Sequence, residues 1–230
     1  AVKREDIEVV GINDLVEPDY MAYMLKYDST HGQFDGTVEV KDGNLVVNGK
    51  TIRVTAEKDP ANLKWDAIGA EVIIESTGLF LTQETAQKHI DAGAKKVLFS
   101  HPADADIDAT VIYGINQHLL TDEMTVVSAG SCTTNCIVPV IQVLDQHFGV
   151  ESGTITTIHA SMNDQQVIDA YHPDLRRTRA ASHSIIPVDT KLARGIERIM
   201  PHLSGRFEAI AVRVPTVNVT AMDLSVTLHQ

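Results

Sequence analysis

Only two of the 230 residues are cysteine, which excludes a disulfide framework and points to a reducing, cytoplasmic compartment. No apolar run approaches the roughly 18 residues of a membrane span, and no secretory leader is visible at the start. An excess of positive charge is lacking as well. Nineteen Lys and Arg stand against 31 Asp and Glu, a formal charge of −12, which disfavours nucleic acid and acidic membrane as partners. There is no internal repeat, no low-complexity tract and no initiator Met. The opening Ala1-Val2-Lys3-Arg4-Glu5-Asp6 reads like the end of a helix, so the chain is expected to be a piece of a longer protein. What is present is ordinary for a globular protein: 43% hydrophobic and 22% charged residues, with length enough for a sizeable core and one or two domains.

The first half reads as strands and helices in alternation. Ile7–Ile12 is a buried strand closed by Asn13-Asp14, and residues 18–30 look helical. An acidic residue at such a strand tip can hold an adenosine ribose hydroxyl, or simply cap a turn. The glycine fingerprint that accompanies a ribose-binding acid is absent upstream. Residues 37–55 hold a hairpin around Lys41-Asp42-Gly43 and a third strand after Asn48-Gly49-Lys50. Residues 71–76 form a strand ending at Thr77-Gly78. A helix follows with Thr82 as N-cap and Gly93 past its end, then a strand over 96–100. Strand, helix and strand make a parallel crossover, whose ligands gather at the tips Ser76-Thr77-Gly78 and Ser100-His101-Pro102. Further strands are expected at 110–114 and 124–128.

Ser128-Ala129-Gly130-Ser131-Cys132-Thr133-Thr134-Asn135-Cys136 then joins a strand to a long apolar helix. This places Ser131 or Cys132 at the helix N-terminus, where unpaired N–H groups and the macrodipole favour a thiolate, the nucleophilic form of cysteine. Cys132 and Cys136, four apart on one helix, read equally as two small buried residues. His159 ends a β-branched strand 27 positions after Cys132, and a Cys with a His from another element is the arrangement of an activated thiol. Residues 160–188 are irregular and rich in Arg, Asp and His. A helix at 190–200 and strands at 206–214 and 217–228 follow. Arg176, Arg177, Arg179, Lys191 and Arg213 concentrate positive charge in an acidic chain, as an anion site or as a solvated basic patch.

Ser-Cys-Thr-Thr-Asn-Cys at 131–136, His159, Arg213-Val214-Pro215-Thr216 and Ser76-Thr77-Gly78 together closely resemble the glyceraldehyde-3-phosphate dehydrogenase family. The resemblance covers the whole chain. Residues 1–95, with Ile12-Asn13-Asp14-Leu15 and the run Asp59–Trp65, look like the bacterial glycolytic enzyme. From about Lys96 the chain resembles the paralogous D-erythrose-4-phosphate dehydrogenases, through Leu98–Pro102, Asp164–Arg179 and Ile186–Lys191.

The resemblance implies an α/β fold: a Rossmann-type parallel-sheet NAD domain over 1–130, followed by an α+β catalytic domain over 131–230, both incomplete. A first strand with its Gly-rich loop would precede Ala1, and the last strands and helix would follow Gln230. It implies Cys132 as nucleophile and His159 as base, and Ser131 and Thr133 lining the substrate with oxyanion-binding N–H groups. Arg177, Thr190, Lys191 and Arg213 match substrate-phosphate contacts. Asn13, Asp14, Lys58, Thr77, Gly78 and Ser100 match the NAD side, with Asp14 favouring NAD over NADP. The partners implied are a phosphorylated aldehyde and, at full length, three more copies in a homotetramer; no metal ligand is assigned. Two departures stand out. Ala129-Gly130 replaces Asn-Ala before the nucleophile and is expected to loosen that turn. Met162 and Asp164 occupy places where the glycolytic enzyme has two phosphate-binding Thr. Other classes stay open on the residues: a Cys/His hydrolase needing no nicotinamide, or an inert fragment.

Overall fold

Asp42-Gly43 and Asn48-Gly49 reverse the chain twice within ten residues. All four have positive φ, between 51° and 78°, the backbone that a tight hairpin matching strand twist requires. The reversals fold β4 (Val38–Lys41), β5 (Asn44–Val47) and β6 (Lys50–Thr55) into an antiparallel meander. Ahead of them come β1 (Gly11–Asn13), α1 (Pro18–Lys26) and a small ribbon of β2 (Tyr27–Asp28) with β3 (Gly32–Gln33). β1 adds to β6 in parallel, Gly11 opposite Arg53. It is shorter than the expected 7–12, pairing only over Gly11–Asn13 opposite Arg53–Thr55. α1 also stops short of residue 30. Asp28 Oδ1 accepts the N–H groups of Thr30 and His31 at 2.8 and 2.6 Å, and this local bonding competes with helix.

The computed structural model describes residues 1–229, which form two units. Unit 1 comprises Ala1–Phe99, Asp104–Asp108 and Asp122–Val127. Unit 2 comprises Ser100–Ala103, Ala109–Thr121 and Ser128 onward. In unit 1, β7 (Val72–Glu75), α2 (Gln83–Asp91) and β8 (Lys96–Phe99) make the expected crossover, with β7 and β8 parallel. Thr82 and Thr85 close a capping box at the start of α2. The sheet of β7 and β8 is separate from that of β1 and β6, so besides the β2–β3 ribbon unit 1 draws on two sheets rather than one. Each has its own core: Ala22, Val38, Leu45, Val47 and Ile52 in one, Leu63, Trp65, Ala70 and Ile73 in the other.

The strands expected at 110–114 and 124–128 are short, β9 (Ala109–Thr110) and β10 (Val126–Ser128). Beyond Thr110, buried Asn116 accepts the N–H of Ile112 at 2.7 Å and donates to Thr110 O at 3.0 Å, turning the chain out of extended form. The remaining elements of unit 2 are α3 (Cys132–Phe148), β11 (Val150–Ala160), β12 (Ile186–Val188), α4 (Leu192–Ile199), β13 (Phe207–Val214) and β14 (Thr220–Leu228). Its sheet runs β12-β13-β11-β14, with β11 and β13 parallel and the other pairs antiparallel. Ile137, Val138 and Ile141 of α3 and Leu192, Ile196 and Ile199 of α4 pack with Ile155 and Phe207 of the sheet. Burying each such side chain stabilises by about 1.5–3 kcal/mol, and this packing fixes the N-terminus of α3 against the strands.

Candidate active site

Ser131 is the N-cap of α3, and the side chains of Ser131 and Thr134 make a reciprocal capping box. Ser131 Oγ accepts Thr134 N–H at 3.0 Å, and Thr134 Oγ1 accepts Ser131 N–H at 2.8 Å. Cys132 is therefore the first helical residue, where the orphan N–H groups of the first turn favour negative charge. The amides of Cys132 and Thr133 have no hydrogen-bond acceptor among the described residues, and such a pair can receive an oxyanion. Ser131, expected to line the substrate, has its hydroxyl committed to the cap and to Thr133 Oγ1 at 2.9 Å. Both cysteines are exposed, so the reading of two small buried residues does not hold.

The turn before the nucleophile is tied rather than loose. Gly130 N–H donates to Ser128 Oγ at 3.0 Å, and Ser128 Oγ–H donates to His101 O at 2.7 Å. Asn135 Nδ2 reaches back to Ala129 O and Ser131 O, both at 2.8 Å. Gly130 has φ +70°, and a Cβ there would lie 2.9 Å from Thr134 Oγ1 and 3.0 Å from Ile112 Cδ1. Position 130 thus needs glycine for its backbone and for its space, which answers the departure noted in the sequence. Asn135 has no counterpart in the sequence reading. Its position four residues after Ser131, in the first helical turn, is what lets its amide return to that carbonyl.

β11 carries Ile155, Thr157 and His159 on its core-facing side, so the imidazole arrives level with the start of α3. His159 Nε2 lies 3.7 Å from Cys132 Sγ. Its Nδ1 is 2.7 Å from Ala160 O, an acceptor only, which places a proton on Nδ1. In the neutral ring Nε2 then faces the sulfur with a lone pair.

The basic cluster divides. Arg176 pairs with Asp174 at 2.7 Å and Asp189 at 3.0 Å, and Arg179 pairs with Asp169 at 2.7 Å. These are staples within the irregular segment rather than a free anion site. Arg177 is paired with Asp164. Arg213 has no carboxylate partner among the described residues, and the Nε atoms of Arg213 and Arg177 are buried without an acceptor. Burial pushes the Arg213 guanidinium below its usual range; the charge at Cys132 opposes that and Arg177 adds to it. Lys191 is exposed at the start of α4, where Thr190 Oγ1 accepts Leu192 N–H at 3.2 Å. The hydroxyl of Thr190 thereby serves as a local helix cap.

The residues expected on the cofactor side lie in unit 1, except Ser100 in unit 2. Asn13 clasps β1 to β6: its Oδ1 accepts from Thr55 Oγ1 and Glu57 N at 2.9 Å, and its Nδ2 donates to Glu57 O at 3.0 Å. Asp14 is exposed at the tip of β1 and accepts Val16 N–H at 3.3 Å. Lys58 is exposed too. Thr77 and Gly78 form the exposed tip of β7, where Gly78 has φ +71° and open space around the place of a Cβ.

Residues 1–83 match the family model for the glyceraldehyde 3-phosphate dehydrogenase NAD binding domain, and residues 131–230 match that for the C-terminal domain of the same enzymes.

Proposed function

The chain belongs to the glyceraldehyde 3-phosphate dehydrogenase family, and from that membership we propose that it oxidises D-erythrose 4-phosphate to 4-phosphoerythronate through a thioester on Cys132. The residues of unit 1 suit NAD. Asp14 offers a carboxylate to ribose hydroxyls at a parallel strand tip, and the bare backbone of Gly78 lets a flat group approach. Thr77, Lys58 and Asn13 complete the set in unit 1 that we assign to the cofactor. NAD, when bound, supplies the acceptor for a hydride.

The chain's own residues do the rest. His159 Nε2 takes the proton of Cys132, and the thiolate adds to the aldehyde carbon. A C–S bond forms, and the carbonyl oxygen becomes an oxyanion received by the amides of Cys132 and Thr133. It is protonated to a hemithioacetal hydroxyl. His159 removes that proton again as the hydride departs, leaving a thioester on Sγ. Arg213, with Thr190 and Lys191, holds the substrate's own phosphate, while Arg177, expected beside them, is paired with Asp164. His159 passes the hydroxyl proton to solvent and then deprotonates a water; the C–O bond forms, the C–S bond breaks, and the acid leaves with the thiolate restored beside the protonated ring.

The observation that carries the choice of water over inorganic phosphate is the pairing of Asp164 with Arg177. An internal carboxylate already occupies this cation. A second anion ~4 Å from that carboxylate is opposed by roughly 1 kcal/mol in water and about 4 kcal/mol at a protein surface. Met162 adds no donor in its side chain. Two free, exposed thiols fit a reducing compartment, and we place the protein in the cytoplasm, as a homotetramer. No described helix is long and apolar enough to cross a membrane.

The test is turnover with NAD on erythrose 4-phosphate and on glyceraldehyde 3-phosphate, each with and without inorganic phosphate. Phosphate-independent oxidation of the tetrose supports the proposal. Strict phosphate dependence with preference for the triose would replace it with the phosphorylating reaction of glycolysis, the character that residues 1–95 resemble.

A further inference from the structure

Trp65, His89 and Glu75 form a buried polar chain in unit 1 for which the proposed reaction has no use. Each is only 4% exposed. Trp65 Nε1 lies 3.2 Å from His89 Nδ1, and His89 Nε2 lies 3.1 Å from Glu75 Oε2. An indole nitrogen can only donate. Nδ1 must therefore accept, and the imidazole carries its proton on Nε2, aimed at the carboxylate. The other carboxylate oxygen, Glu75 Oε1, accepts Thr77 N–H at 2.7 Å. Thr77 Oγ1 in turn accepts Leu79 N–H at 3.1 Å.

The far end of the chain is anchored. Arg53 sits over the Trp65 ring at 5.3 Å from its centroid and donates to Leu63 O and Lys64 O at 2.6 and 3.0 Å. A cation over the indole face is attracted to the ring and holds its orientation. Donation runs from Trp65 through His89 to Glu75, and the Thr77 N–H donates to the other oxygen of the same carboxylate. Burial pushes the Glu75 carboxyl up, but the bonds from His89 and Thr77 outweigh it, and the net direction is down. A buried carboxylate is costly, and apolar residues would fill the same space at least as well. What the chain does that apolar packing would not is fix the Thr77-Gly78 backbone. That tip is exposed, and the place of a Cβ at Gly78 has nothing around it, so side-chain packing does little to hold it.

We propose that Glu75 and His89 are positioning residues for the nucleotide cofactor, with Trp65 setting the His89 tautomer so that the Glu75 carboxylate orders Thr77 and Gly78. The inference rests on the assignment of Thr77 and Gly78 to NAD. It makes a distinctive prediction about proton placement. Glu75→Gln puts amide hydrogens or a weaker acceptor against His89 Nε2–H, and Trp65 blocks the ring from moving its proton to Nδ1. Trp65→Phe lifts that block, so adding it to Glu75→Gln should restore order.

The experiment uses the full-length protein with ¹⁵N-labelled histidine, amide hydrogen exchange at Thr77 and titration with NAD. The wild-type His89 ring should show a proton on Nε2 alone. Glu75→Gln should speed Thr77 exchange and weaken NAD binding by about tenfold each, the loss of one charge-assisted hydrogen bond. Trp65→Phe in that background should recover part of both. Alkylation of Cys132 without cofactor should be the same in all variants. A proton on Nδ1, an additive loss in the double variant, or a fall in melting temperature with unchanged exchange and NAD affinity would overturn the relay. The two readings fail separately: a wild-type chain that binds no NAD refutes the cofactor assignment, while the tautomer and Thr77 exchange judge the chain of hydrogen bonds.

Discussion

His159 and Arg213 stand opposite one another across the parallel β11–β13 pair. The register places the imidazole and the guanidinium at one level of the sheet, on the side that meets α3. His159 is 3.7 Å from the Cys132 sulfur. Imidazole, thiol and guanidinium are thus positioned by two strands and one helix terminus, all within unit 2.

Alkylation near neutral pH should modify Cys132 before Cys136, because the first-turn amides and His159 both act on Cys132. Peptide mapping after stoichiometric iodoacetamide checks this, and equal labelling would remove the assignment. His159→Asn should cut turnover by ~10²–10⁴-fold, the usual contribution of a general base.

Asp164→Asn should release Arg177 from its internal partner. Inorganic phosphate should then stimulate turnover, with its apparent affinity improved by about tenfold, equivalent to roughly 1.4 kcal/mol. Steady-state rates against phosphate concentration measure this. An unchanged response would show that the Asp164–Arg177 pair does not govern the acyl acceptor.

NAD should be preferred over NADP, since a 2′-phosphate beside Asp14 is repelled. Asp14→Ala should narrow the gap by loss of that repulsion, read as the ratio of the two dissociation constants. A wild-type preference for NADP would refute the contact.

Gly130→Ala should destabilise unit 2 by about 1–3 kcal/mol, since it adds left-handed strain to a collision with Thr134 and Ile112. Asn135→Ala should cost about 1 kcal/mol by releasing the carbonyls of Ala129 and Ser131. Urea midpoints give both values, and the rate of Cys132 alkylation should fall with them.

Asp145 gives the pH dependence of the α3–β11 junction. The N–H of Val150 at 3.0 Å holds its carboxyl below the ordinary range, against a smaller opposing effect of burial, and His202 at 2.8 Å adds to the lowering. A carboxyl with a depressed folded-state pKa contributes stability above its unfolded value, near 3.9, and loses it as pH falls through the folded value. Asp145→Asn should therefore destabilise by about 1 kcal/mol at pH 7. The difference from wild type should shrink below about pH 4. A difference that grows toward acid would contradict the sign.

The sequence by itself determined the elements whose signals are local. Asn-Gly and Asp-Gly fix hairpin backbones, Thr82 and Ser131 cap helices through side chains a few atoms away, and the parallel crossover of β7 and β8 follows from strand, helix and strand in succession. The motif around Cys132, with His159 and Arg213, was legible for the same reason, since each marks the end of one element. What only the tertiary structure decided depends on partners distant in the chain. Whether Cys132 and Cys136 are exposed, and which of the arginines are already paired with carboxylates such as Asp164, depend on contacts that no periodicity encodes. The two separate sheets of unit 1 and the buried Trp65–His89–Glu75 chain are likewise set by which strands meet and by burial. Hydrogen-bond direction at a buried imidazole depends on the donor opposite it, and here that donor is 24 residues away.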